Sequence, residues 1–323
     1  MNEFTAIIET KFKEFSDKYF NKEPKKLYEP LAYTMESGGK RIRPQLTLLV
    51  CKLFGGDIEK ALLPAYGVEL FHNFTLLHDD IMDNSDLRRG MPTVFKKYGL
   101  NSGILSGDLM MVLALKLASE DENGVNKDMY DLMIRTSIEL YEGQQYDVDF
   151  EERNDVRAEE YLKMIELKTS VLIACAMQIG AIIANASEDY QSKIYEFGRN
   201  IGLSFQIQDD YLDTFGDSKV GKKIGGDILN NKKTLLLISA LQKADDTQKE
   251  ALNKWISTSD NDVEKIAAVT KLYLDTGAME YCKELSKTYF NKAIVYLNEV
   301  ENCDPIAKKQ IFEVAKLIIN RKF

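Results

Sequence analysis

Little in this chain can staple, kink or tag it. Its 323 residues include only four cysteines, six prolines, two histidines and one tryptophan. Cys51, Cys175, Cys282 and Cys303 are far apart and form no CxxC pair. That spacing argues against a disulfide scaffold or a paired-cysteine zinc site and favours a reducing, cytoplasmic setting. Cys51 and Cys175 fall in apolar runs and read as small buried hydrophobes. His72 and His78 are six residues apart. That offset does not place both on one helix face to share a metal.

Excess positive charge is also missing. Lys and Arg number 42 against 51 Asp and Glu, leaving a net charge of -9. Nucleic-acid phosphates demand basic patches, so that class of partner is disfavoured. An anionic ligand then needs either a local basic cluster or metal ions. There is no long unbroken apolar run. The longest, at 171–186, is interrupted by Gln178 and Gly180. It falls short of the roughly 20 residues of a membrane span and reads as a buried helix. The first residues, MNEFTAIIETKFKEF, are amphipathic and lack the apolar stretch of a signal peptide.

What remains is helical. Apolar residues make up 45% of the chain and recur at spacings of three and four. This periodicity predicts helices near 2–20, 25–36, 42–54, 58–83, 101–120, 125–152, 157–185, 188–215, 232–243, 246–257, 261–274, 276–299 and 305–320. No linker or change of composition divides them. The expectation is one all-α domain over residues 1–323, with the helices near 58–83, 157–185 and 188–215 central.

Two acidic clusters stand out. Asp79, Asp80 and Asp83 form a DDxxD pattern at the end of an apolar helix, and Asp209, Asp210 and Asp213 repeat it. Residues i and i+4 share a helix face, so Asp79 and Asp83 point the same way. Carboxylates this close repel unless a cation joins them. Hard oxygen ligands suit Mg²⁺, which takes one or two carboxylates plus phosphate oxygens and water. One copy alone reads more readily as a solvated acidic helix end; two copies favour metal ions gripping a diphosphate.

Basic groups are placed to match. Gly38-Gly39-Lys40-Arg41-Ile42-Arg43-Pro44 joins a glycine turn to a helix entry; it reads either as a solvated basic turn or as an anion site, where backbone N–H groups and Lys40, Arg41 and Arg43 attract the ligand. Arg88 and Arg89 follow the first triad and suit bidentate phosphate recognition. Lys168 and Thr169 interrupt an apolar helix. Beyond the second triad, Lys222, Lys223, Lys232 and Lys233 lie in a glycine-containing cationic loop. Such a loop can fold over an anionic substrate and exclude water. The basic tail Arg321-Lys322-Phe323 suits either a disordered end or a cap on the same site.

In order, GGKRIRP, HDDIMDNSDLRRG, GQQYD, KT, FQIQDDYLD and GKKIGGDILNNKKT resemble the trans-isoprenyl diphosphate synthases, or polyprenyl synthetases. The resemblance covers about residues 30–240. It implies an all-α fold around a central cavity, usually as a homodimer. It also implies head-to-tail condensation of isopentenyl diphosphate with an allylic diphosphate (dimethylallyl, geranyl or farnesyl), supported by three Mg²⁺ ions. By position, Asp79, Asp83 and Asp209 would ligate Mg²⁺, with Asp80, Asp210 and Asp213 as further ligands or supporting carboxylates. Arg88, Lys168 and Lys223 would hold the allylic diphosphate, with Lys232 nearby. Lys40, Arg43, His72 and Arg89 match the isopentenyl diphosphate positions. Thr169, Gln206 and Asp147 match the surroundings of the reacting centre.

The chemistry agrees with that resemblance. A diphosphate leaves readily only when its charge is neutralised. The allylic cation left behind then needs a dry apolar wall. No side chain stands out as the final base, which leaves the departing diphosphate as proton acceptor. In the family, bulk just before the first DDxxD limits product length. Phe74 is fifth before Asp79, Thr75 fourth and Phe71 eighth, and the motif carries no insertion. In the family's terms this pattern implies a short product, C20 or C15.

Alternatives are a longer-chain polyprenyl synthase, a class I terpene cyclase, a non-catalytic partner subunit and an acidic metal buffer. The second DDxxD argues against a cyclase. The two intact triads argue against a silent subunit, and the ordered basic groups against a simple buffer.

Overall fold

The structure, a computed structural model, describes residues 4–216, 225–258 and 262–319. The fold is all-α, as the periodicity predicts. In order the helices are α1 (Phe4–Phe20), α2 (Lys25–Glu36), α3 (Ile42–Leu53), α4 (Ile58–Met82), α5 (Val94–Tyr98), α6 (Leu100–Ala118), α7 (Lys127–Glu152) and α8 (Ala158–Ile165). They continue as α9 (Val171–Ile183), α10 (Glu188–Phe215), α11 (Gly226–Leu229), α12 (Leu235–Lys243), α13 (Asp246–Ile256), α14 (Asp262–Asp275), α15 (Ala278–Asn298) and α16 (Pro305–Ile319). Two tiny antiparallel hairpins, β1–β2 (Leu87–Arg88, Met91–Pro92) and β3–β4 (Glu120–Asp121, Gly124–Val125), were not anticipated. Nor were the short α5 and α11. All four cysteines are free thiols.

The chain forms two compact units. The first comprises Met1–Thr136, Cys175–Tyr195 and Glu301–Ile311; the second comprises Ser137–Ala174, Glu196–Val300 and Phe312–Phe323. In the first, α4 lies against α3 and α6. Its apolar residues cover every face, and Leu62, Tyr66, Leu70, Phe71 and Phe74 are buried. Asp57 starts the helix by accepting the Glu59 N–H at 3.0 Å. Asn84 stops it in the left-handed region, and the Ser85 N–H returns to the Asp80 carbonyl at 2.9 Å. The first triad therefore sits on a helix C-terminus, the end that favours cations.

The second unit packs Tyr161, Ile165, Leu203, Ile207, Leu236 and Tyr273 into its core. Between α8 and α9 the helix widens into a π turn, Glu166–Ser170. A Cβ on Gly143 of α7 would lie 2.4 Å from the Lys168 amide nitrogen. Only glycine lets the backbones come this close.

Among the described residues, two helices are long and apolar enough to cross a membrane. They are Leu100–Ala118 and the continuous Ala158–Ile183. The latter is 26 residues long, longer than the apolar run seen in the sequence, and 72% of its most apolar window is buried. That burial is the pattern of a core helix.

Candidate active site

In the first unit a hairpin separates the two arginines. Arg89 and Gly90 are its two turn residues, both with positive φ (55° and 78°), the backbone such a tight turn requires. Arg88, in the strand, reaches back to Asp80: its Nε and Nη2 donate to Oδ1 at 2.9 and 2.6 Å. Asp80 is buried, which raises its pKa, and the Arg88 bonds counter that rise. Arg89 turns elsewhere, donating to the Gly38 carbonyl and, at 3.3 Å, to Ser37 Oγ. This brings Arg89 onto the Gly38–Arg43 turn.

His72 lies near the same basic cluster. Burial first, then Arg43, Arg89, Arg88 and Arg41, hold its imidazole well below the ordinary value, so it is neutral near pH 7. Lys40 is exposed and Arg43 half-buried. Arg41, expected with Lys40 and Arg43 to attract anions, does not project with them. Its backbone is left-handed (φ 47°) and its side chain points inward. There it bonds Glu69 at 3.0 Å, Glu9 at 3.3 Å and the Met35 carbonyl at 2.7 Å. The neighbouring Asn73 donates to the Glu69 carbonyl at 2.8 Å. Arg41 pins the turn from which Lys40 and Arg43 project.

The chain-length candidates occupy the preceding turns of α4. Phe71 and Phe74 are buried and meet edge to face at 5.4 Å, and Phe74 meets His78 likewise at 5.0 Å. The Thr75 hydroxyl donates to the His72 carbonyl at 2.8 Å.

In the second unit, a cleft of about 290 Å³ brings together Asp147, Lys168, Thr169, Gln206, Asp209, Asp210, Asp213 and Lys232. Lys168 Nζ sits 2.5 Å from Asp147 Oδ2. Thr169 Oγ1 donates to Gln206 Oε1 at 3.1 Å, and Gln206 Nε2 to Asp210 Oδ1 at 3.1 Å. The Tyr161 hydroxyl donates to Asp210 Oδ2. Burial pushes the Asp210 carboxyl well above its usual range, against the pull of Tyr161 and Gln206. Asp213 Oδ2 accepts the Asp227 N–H at 2.9 Å. Tyr161 lines the cleft without a motif to mark it, and Asp227 lines it from within GKKIGGDILNNKKT, where sequence reasoning assigns it no role. The one sequence signal for Tyr161 is its place two turns ahead of Lys168. Lys222, Lys223 and the tail Arg321-Lys322-Phe323 lie outside the described residues.

The donor chemistry fits Mg²⁺. Among the described residues, no three Asp, Glu, His or Cys side chains already close a metal cage. Mg²⁺ suits such open sites, because it keeps waters and substrate phosphate oxygens in its shell. Asp80 Oδ1 is committed to Arg88, and both oxygens of Asp210 accept protein hydrogen bonds.

Comparison with known proteins agrees. The chain is 36% identical to the geranylgeranyl diphosphate synthase of Sulfolobus acidocaldarius, over 99% of this chain and 98% of that protein. It is 35% identical to the geranylfarnesyl diphosphate synthase of Aeropyrum pernix, over 92% and 95%. A crystal structure of a geranylgeranyl pyrophosphate synthase superposes with a TM-score of 0.92 and 41% identity, covering 100% of both chains. The sequence pattern of the polyprenyl synthetase family matches residues 24–273, and the chain belongs to that family.

Proposed function

We propose that this protein is a Mg²⁺-dependent prenyltransferase that joins isopentenyl diphosphate head-to-tail to an allylic diphosphate, releasing a short all-trans prenyl diphosphate. The carrying observation is two intact aspartate triads, each set beside basic side chains within its own unit. Bound Mg²⁺, three ions in this reading, would neutralise the charge that builds on the departing diphosphate. Asp79 and Asp83, and Asp209 and Asp213, would hold the ions. Asp80 keeps Arg88 in place, and Asp147 does the same for Lys168. Arg88, Lys168, Lys223 and Lys232 bind the allylic diphosphate. Lys40, Arg43, Arg89 and the neutral His72 bind isopentenyl diphosphate, with His72 donating a hydrogen bond rather than a charge. Thr169 and Gln206 face the reacting carbons, and the released diphosphate takes the final proton.

Phe74, with Phe71 behind it and Thr75 beside it, sets product length at C20 or C15. The names of the relatives favour C20 and extend to C25. Both units belong in this reading to one catalytic domain, since the family match spans them. The face of α6 that exposes Leu100, Ile104, Leu105 and Val112 is the interface of a homodimer. Four free thiols suit the cytoplasm.

The test supplies isopentenyl diphosphate with each allylic starter and Mg²⁺, then identifies the prenols after phosphatase treatment. Linear prenols support the assignment, whereas cyclic hydrocarbons or no Mg²⁺-dependent turnover would overturn it. Sedimentation at micromolar concentration tests the dimer.

A further inference from the structure

We propose that Lys265 is a positioning residue that fixes the Lys232–Lys233 loop at the cleft of the second unit. The inference rests on the diphosphate-binding reading of that cleft. Lys265 is on α14 and is 4% exposed. Its ammonium donates to Asn231 Oδ1 at 2.7 Å and to the Thr258 carbonyl at 3.1 Å. Both acceptors are neutral, and among the described residues no carboxylate lies at ion-pair distance. Leu237, Leu252, Ile256 and Val269 line the space beside Lys265 together with Asp227 and Lys232, and burial lowers its pKa more than Asp262, one turn earlier on α14, raises it. A buried ammonium bonded only to neutral acceptors carries a desolvation cost that an apolar side chain would avoid. Packing alone therefore does not account for a lysine here.

What it holds is the turn before the two lysines. Asn231 has a left-handed backbone (φ 52°), which a Lys265 bond to its side chain helps to keep. The Lys232 N–H then bonds the Asp227 carbonyl at 2.9 Å, and the Thr234 N–H bonds the Lys232 carbonyl at 2.9 Å. Lys232 and Lys233 line the cleft. The start of the same segment is also fixed by α14. Gly225 (φ 81°) leaves room for Ile266, whose Cγ1 would lie 2.8 Å from a Cβ there. The Gly225 N–H donates to the Asp213 carbonyl at 2.7 Å. Adjacent residues of one helix, Lys265 and Ile266, thus hold the two ends of the segment 225–231 that leads into the cationic pair.

The experiment compares Lys265→Met, Asn231→Gly and the double variant. Methionine keeps length without the donor, and glycine keeps the left-handed backbone without the acceptor. Two readouts are used: KM for each substrate, and calorimetric binding of inorganic pyrophosphate with Mg²⁺. The expected result is a rise of about tenfold in the allylic KM and in the pyrophosphate Kd for each single variant. The isopentenyl diphosphate KM stays unchanged, and the double variant is no worse than either single. Unchanged allylic KM and pyrophosphate Kd, equal rises for both substrates, or additive singles would overturn the proposal. If Lys265→Met fails to fold, Asn231→Gly alone must give the shift, and its failure to do so is equally decisive. A wild-type chain with no turnover would sink the prenyltransferase reading, while the pyrophosphate measurement still judges Lys265.

Discussion

The chain writes DDxxD twice and surrounds the two copies differently. In the first unit the buried central carboxylate, Asp80, is matched by a full positive charge, Arg88 at 2.6 Å. In the second, Asp210 is matched by neutral donors, Tyr161 and Gln206. The first copy ends its helix, whereas the second sits within α10, which runs on to Phe215. Identical letters therefore do not imply identical electrostatics. The neighbours decide whether a buried carboxylate is balanced as an ion or held through hydrogen bonds.

The largest expected effect would break the functional side of this comparison. Asp79→Ala and Asp209→Ala should each lower kcat by about 10³-fold or more, equivalent to about 4 kcal/mol of lost transition-state stabilisation. The helical circular dichroism should be unchanged. Near-normal activity in either variant would mean that only one copy serves the reaction. Next comes the contrast between the central residues. Arg88→Ala strands a buried carboxylate and should cost about 2 kcal/mol in urea unfolding, while Tyr161→Phe removes one neutral donor and should cost about 1 kcal/mol. The reverse order would erase the distinction drawn between Asp80 and Asp210.

Phe74→Ala tests whether the helix below the first triad has a duty that the second lacks. It should shift the prenols, measured by chromatography, to longer chains, and an unchanged distribution would remove Phe74 as the floor. The smallest effect concerns His72. Because the fold holds it neutral, the unfolded chain takes up a proton more readily once pH falls below about 6.5, the ordinary imidazole value. Stability is therefore complete above that pH and declines below it, by at most about 1.4 kcal/mol per pH unit from this residue. His72→Asn should flatten the decline in denaturant titrations, and an unchanged slope would show that another group carries it.

The long helices were legible because each buries a stripe whose 3.6-residue period survives in the sequence. The predicted stops at residues 20, 36, 243 and 257 fall within a residue of those observed, since local turn and capping residues set them. The short α5, α11 and both hairpins were not legible, because a few residues carry no period. Asp147, Lys168, Thr169, Gln206 and Lys232 line one cleft with the second triad, while Lys222 and Lys223 lie outside the described residues. What stayed hidden depends on partners distant in sequence. Arg41 looks like its neighbours Lys40 and Arg43, yet Glu69, 28 residues on, draws it inward. Tyr161 enters the site through its hydroxyl bond to Asp210, 49 residues away. Lys265 reads as a surface lysine until Asn231, 34 residues back, is brought against it.

The π turn at Glu166–Ser170 has a bearing on how this chain tolerates length changes. A helix that loses one residue rotates everything beyond the gap by about 100° and shortens by about 1.5 Å. The turn behaves as one surplus residue, so a single deletion there would restore a uniform spiral and put its two sides out of phase. Tyr161 could then not keep facing Asp210 while Val171 and its successors kept their own partners. Substitutions in this stretch change chemistry at one position, but a one-residue deletion acts as a rotation of one half of the helix. Here residue count is as much under structural constraint as residue identity.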